Sequence, residues 1–216
     1  YRPLVLLDQR FDDRLEGELI SHRLFGTLGA TLGLGDRWEV SILIPAVLYQ
    51  SGESIEGTGG SFSSLDGAAM GDLVIGTSMH LWGQTLGAQL GLSLMMREPT
   101  GSEEAFAGDG GVGGDVTFLF AYLFETVTIA TELGVSFRPE RRFQSTKIGP
   151  ELSFGVGFFW APIESLRLGL ELGGSTSLLS DQVFDDSTTP VEALLSGQIT
   201  LGNGLTFGAG IGTGLT

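Results

Sequence analysis

The chain has 216 residues, a formal net charge of −15, 35 glycines, 7 prolines and no cysteine. An acidic balance of this size excludes the basic footprint that nucleic-acid partners require. The absence of a G-X-Y period excludes collagen, plentiful apolar and aromatic residues argue against disorder, and no run of eighteen apolar residues offers a transmembrane helix.

Residues 1–9 (YRPLVLLDQ) read as the end of a strand that begins before Tyr1. Because the chain opens on Tyr and not Met, the expectation is a mature or partial segment whose export signal lies upstream. The charged run RFDDR at 10–14 breaks the strand. A long strand follows from about Leu15 to Leu34, with Leu24, Leu28, Leu32 and Leu34 on one face and Gly29, Thr31 and Gly33 on the other. Gly35-Asp36 is a two-residue turn signal. The next strand, 37–50, sets Trp38, Val40, Ile42, Ile44, Ala46 and Leu48 outward. Pro45 lacks a ladder donor and predicts a bulge or interrupted pairing.

Residues 51–70 are Gly/Ser-rich and read as a long loop. A hairpin is predicted over 71–82 and 85–97, joined near Gly83-Gln84, followed by an acidic loop, EPTGSEEAFAGDGGVGG, at 98–114 that the spacing predicts to be flexible. The clearest hairpin is Asp115–Arg138. Val116, Phe118, Phe120, Tyr122 and Phe124 alternate on its first arm, and Val127, Ile129, Leu133, Val135 and Phe137 on its second. Period-2 alternation held for about ten residues per arm exceeds the usual soluble strand of about five or six. It matches the roughly 9–11 residues that cross hydrocarbon at a tilt. A basic loop around Pro139–Lys147 precedes a hairpin of 148–160 and 166–178, joined by APIES. An acidic loop at 180–189 leads to the last hairpin, 190–202 and 204–215, turning at Asn203-Gly204, a type I′ signal.

Short and long connections alternate, as periplasmic turns and extracellular loops do in outer-membrane barrels. Trp38, Trp82 and Trp160 all sit beside short turns, so they mark the periplasmic rim. The expected fold is all-β: an antiparallel up-and-down transmembrane β-barrel of about twelve strands, one outer-membrane barrel domain over 1–216, with the last strand beyond Thr216. A soluble sandwich is the competing reading.

By parity Glu39, Asp72, His80, Arg97, Asp115, Glu132, Arg138, Glu151, Arg167, Glu171 and Glu192 face the lumen, accompanied by many glycines that leave space there. The plain reading is a solvated lumen whose charges pair across strands, with Arg97 and Arg167 as candidates. The sharper one is a weakly cation-preferring channel. Phe25 and Phe159 are large inward residues that fill space instead. His80 is a lone lining histidine, and neither it nor His22 belongs to a metal-spaced cluster. The stretch GDGGVGGD lacks the ligand spacing of a calcium loop, while bridging of lipopolysaccharide by divalent ions is open there and at Asp185-Asp186. No GxSxG motif appears, and GxG fragments lie in strands, so no catalytic residue, cofactor or enzyme activity is expected.

The stretches LGLGDRWEVSILIPAVLYQSG (32–52), GDLVIGTSMHL (71–81) and EPTG (98–101) resemble the N-terminal barrel of large OmpA-family outer-membrane proteins. They are similar also to phenol-degradation meta-pathway type transporter barrels. The first resemblance implies an envelope scaffold or cell-surface interaction barrel, commonly followed by a periplasmic peptidoglycan-binding domain. Its partners would be outer-membrane lipid, lipopolysaccharide, an envelope protein, or peptidoglycan through a segment beyond this one. The alternative is a passive porin-like channel or transporter for small solutes, also in the bacterial outer membrane.

Overall fold

A computed structural model describes residues 22–215 apart from 53–54, 58–59, 63–65, 84, 144–145, 180–182, 185–188 and 203–204. Its strands are β1 (His22–Leu34), β2 (Trp38–Ser51), β3 (Ile55–Gly57), β4 (Gly60–Phe62), β5 (Gly67–Met70), β6 (Leu73–Gly83), β7 (Gly87–Glu98), β8 (Gly113–Leu123), β9 (Val127–Phe137), β10 (Arg141–Phe143), β11 (Thr146–Ile148), β12 (Glu151–Ile163), β13 (Leu166–Ser177), β14 (Val191–Thr200) and β15 (Thr206–Gly214). Ten of them, of nine to fourteen residues, form one sheet in the order β1-β2-β6-β7-β8-β9-β12-β13-β14-β15, with β5 paired to β2. Every long strand follows its predecessor, which is the strand order of an up-and-down barrel wall. The fold class is therefore the expected one: all-β and antiparallel. Among the described residues no helix is long and apolar enough to cross a membrane, which says nothing of crossing by strands.

The ten long strands match the number expected between Leu15 and Leu215, whereas the strand tail at 1–9 lies outside the described residues. The loop expected at 51–70 contains the β3–β4 hairpin and β5. The loop at 139–147 contains the β10–β11 hairpin, registered Arg141 to Ile148. Short polar hairpins within long connections escape a period-2 reading because three residues per arm are too few to alternate. Turns differ slightly from expectation. The first occupies 35–37, with Gly35 at φ 68°, a left-handed conformation glycine adopts without a Cβ clash. The APIES joint narrows to Glu164-Ser165, because β12 runs on to Ile163 through a register shift after Trp160. The type I′ signal Asn203-Gly204 lies outside the described residues. At Pro45 a bulge or interrupted pairing was expected; the β2–β5 register shift falls further on, between Val47 and Gln50. The Pro45 carbonyl itself accepts from the Gly71 amide at 2.8 Å.

The chain divides into two compact units: one of 1–30, 42–75 and 97–112, the other of 31–41, 76–96 and 113–216. In the second unit, pairing carries one apolar row across six strands: Tyr122, Ile129, Phe158, Leu170, Leu195 and Ile211. All six are exposed, from 42% to 75%. The adjacent register line, on the other face, runs Ala121, Ala130, Gly157, Glu171, Leu194 and Gly212, and two residues further along each strand lie Leu119, Glu132, Gly155, Gly173, Glu192 and Gly214. Carboxylates on this polar face are thus flanked by glycines, over which a neighbouring side chain folds. Phe159 does the same: a methyl group on Gly157 or Gly169 would come within 2.7 or 2.9 Å of its ring. Arg167 stacks above that ring, 5.1 Å from its centroid, a cation–π contact.

Gly157→Val is expected to collide with the Phe159 ring and destabilise the sheet by about 1–3 kcal/mol. Adding Phe159→Ala should recover most of that loss in equilibrium urea unfolding; equal destabilisation with and without the ring would contradict the packing described.

Candidate functional site

Two regions carry chemistry, one in each compact unit. In the second unit, a cavity of about 480 Å³ is lined by side chains including Glu39, Ser78, His80, Gln89, Leu119 and Ala121. Strands β2, β6, β7 and β8 supply them at alternate positions, so each points to one face by the period of two. The backbone amide of His80 donates to the Arg37 carbonyl at 2.8 Å, and Thr77 Oγ1 donates to the Glu39 carbonyl at 3.0 Å. Ser78 Oγ donates to Ser93 Oγ at 3.3 Å across the β6–β7 pair. His80 Nε2 is buried without a hydrogen-bond partner among the described residues. Leaving a buried nitrogen unmatched is unfavourable by about 1–3 kcal/mol.

In the first unit, polar side chains of β1 and β2, together with Asp72 just before β6, converge on the backbone of loop 98–112. Both Asp72 oxygens accept amides: Oδ1 from Gly101 at 2.9 Å and Oδ2 from Asp109 at 2.6 Å. Gln50, 2% exposed, receives two bonds from Arg23 on its Oε1, at 3.1 Å from Nε and 2.8 Å from Nη2. Arg23 continues to the Ala105 and Phe106 carbonyls at 3.1 and 3.3 Å. Two further bonds reinforce the arrangement: the Ser102 amide donates to the Met70 carbonyl and the Leu73 amide to Thr100 Oγ1, each at 2.9 Å. Arg97 and Asp109 add an ion pair at 3.9 Å. The fit is close: a Cβ on Gly101 or Gly108 would stand 2.8 or 2.6 Å from Asp72 Oδ1. A loop expected to be flexible is therefore held along its length, because an aspartate with two oxygens can satisfy two amides at once.

The other residues singled out from sequence are scattered. Glu151 pairs with Arg138, which also donates to the Gly149 carbonyl at 3.1 Å. Glu171 accepts from Ser196 Oγ at 3.2 Å, and Arg167 meets the Phe159 ring where a carboxylate was expected. Asp115 is half-buried opposite Ser136, while Glu132 and Glu192 are exposed. Trp38, Trp82 and Trp160 are exposed by 50%, 63% and 46%, and all three fall in the second unit. Among the described residues no group of three or more His, Asp and Glu could hold a metal ion; Asp185-Asp186 lies outside them. Arg23 and Gln50 were missed. Arg23 shares the parity of Phe25 and was legible, but Gln50 was not, because the register shift after Val47 reverses the alternation.

A family model described as "Putative MetA-pathway of phenol degradation" matches residues 14–216. The chain belongs to that family. Of the two resemblances seen in the sequence, the match supports the phenol-degradation type. Among curated proteins none matches the chain.

Asp72→Ala removes the acceptor of two loop amides. Hydrogen exchange at Gly101 and Asp109 should accelerate by about ten-fold or more, while the β8–β9 ladder keeps its protection. Mass spectrometry of exchanged peptides reads both regions in one experiment.

Proposed function

We propose that this member of the phenol-degradation family is the wall of a bacterial outer-membrane β-barrel that passes small solutes, with hydroxylated aromatic rings as the preferred class. One observation carries the membrane reading. Among the described residues Val47, at 6% exposure, is the one buried apolar side chain, whereas Leu, Ile, Phe and Trp stand exposed along every long strand. A water-soluble protein rarely exposes an apolar surface beyond a few hundred Å², but hydrocarbon solvates it and the polar face then becomes a lumen. Glu39, Asp72, His80, Arg97, Asp115, Glu132, Glu151, Arg167, Glu171 and Glu192 would belong to that lumen, and the three tryptophans to its periplasmic rim.

The solute class follows from the cavity and the family description together. About 480 Å³ lies in the range of small-molecule pockets, and an apolar lining with a few polar groups suits one ring with one hydroxyl. His80 lines the cavity, and a turn of its ring would present the Nε2 that is buried here to that hydroxyl. An envelope scaffold remains the second reading, favoured by the ordered loop 98–112, which gives a fixed surface to a partner. Planar-bilayer recording separates the two: steady open steps support passage, and a silent, correctly assembled barrel supports the scaffold.

Leu170→Arg, in the middle of the exposed apolar row, should destabilise the barrel in vesicles by about 2–4 kcal/mol, while Glu171→Gln leaves assembly intact. Equal assembly defects would reverse the assignment of faces. For the cavity, phenol should block conductance at lower concentration than toluene. His80→Leu should reduce that advantage by up to about ten-fold, the worth of one hydrogen bond; an unchanged ratio would remove His80 from the solute's path.

A further inference from the structure

We infer that loop 98–112 is a fixed, acidic constriction folded onto the lumen side of the wall, setting both the size limit and the charge preference of passage. The inference rests on the passage reading for its consequence, but not for its geometry. The side chains that hold the loop sit on one face. Arg23 and Gln50 bond its Ala105 carbonyl, and Asp72 bonds its two ends at Gly101 and Asp109. The opposite face of the same strands is bare: Leu24 is 59% exposed and Leu48 57%, whereas Gln50 is 2% and Asp72 6%. The loop therefore covers the polar face, not the apolar one.

Two further features distinguish a built element from a chance contact. Gly101 and Gly108 lie so close to Asp72 that neither site has room for a side chain, and Phe106 is held at φ 50°, an uncommon conformation for a bulky residue. Backbone strain of this kind persists only where surrounding contacts enforce it. The loop also carries Glu98, Glu103, Glu104 and Asp109 and no basic residue. A ring or cluster of carboxylates at a narrow point raises local cation concentration and repels anions, while neutral molecules are sorted by size. A neutral phenol-class solute would pass where its anionic relatives are slowed.

The test compares the wild-type barrel with a variant in which residues 103–108 are replaced by Gly-Gly, both checked for heat-modifiable mobility. In planar bilayers the shortened loop should raise conductance by about two-fold or more and lower the cation-to-anion permeability ratio. Equal conductance and equal selectivity in two assembled barrels would overturn the constriction. A second readout does not depend on passage. The chain has no cysteine, so Val47→Cys, 6% exposed and in β2 close to the loop-holding Gln50, can be labelled uniquely. A polymer-linked maleimide should react in the shortened variant and be excluded from the intact one. If both barrels are silent, the passage reading fails, and labelling alone decides: selective labelling supports the covering loop, and equal labelling refutes it.

Discussion

A sheet in which the described residues bury a single apolar side chain depends on one constraint: every backbone amide and carbonyl within it must be satisfied by its neighbours. The long strands meet that constraint by pairing in sequence order. Uninterrupted ladders such as β8–β9 and β9–β12 match ten residues with ten. Cohesion that other proteins draw from a buried core is supplied here by hydrogen bonds in register and by whatever solvates the outer side chains. The apolar row from Tyr122 to Ile211 follows from register alone, since a slip of one residue would exchange it for the glycine-carboxylate row.

The glycine-rich polar face is the complement of that arrangement. Where Glu132 stands opposite Gly155, a Cβ would come within 3.0 Å of the carboxylate stem. The glycine is thus space reserved for a neighbour's side chain. Phe159 uses Gly157 and Gly169 in the same way and presents its ring to Arg167. Charges on this face are consequently spread and individually accommodated, and the arginines find different partners: a glutamate for Arg138, a ring for Arg167, loop carbonyls for Arg23.

Much of this was legible in the sequence. Alternation over ten-residue arms located the ten long strands, because two faces in different surroundings impose different residues at every second position. The residues of the cavity were half legible: His80 and Glu39 were placed by parity, but Ser78, Gln89 and Leu119 look ordinary until pairing brings β6, β7 and β8 side by side. The order of loop 98–112 was not legible at all. Its holding groups are 27 to 83 residues away in the chain, from Leu73 and Thr100 to Arg23 and Phe106, and Gly, Ser and Glu are equally common in loops that are held and loops that are not. Composition reports what a segment is made of; distant acceptors decide whether it stays put.

The register shift in β2 has a consequence for how this chain tolerates changes of length. Between Val47 and Gln50 the alternation is reset, so Leu48 and Tyr49 are both exposed and Gln50 turns to the side where Arg23 waits. That extra residue acts as a phase element, separating the part of the strand whose apolar residues fall at every second position from the part that serves the loop. Loss or gain of a single codon there would leave nearly every residue type in place, yet rotate Gln50 out of reach of Arg23. The sequence neighbourhood of Leu48 and Tyr49 is accordingly a place where substitutions are tolerable and insertions or deletions are not.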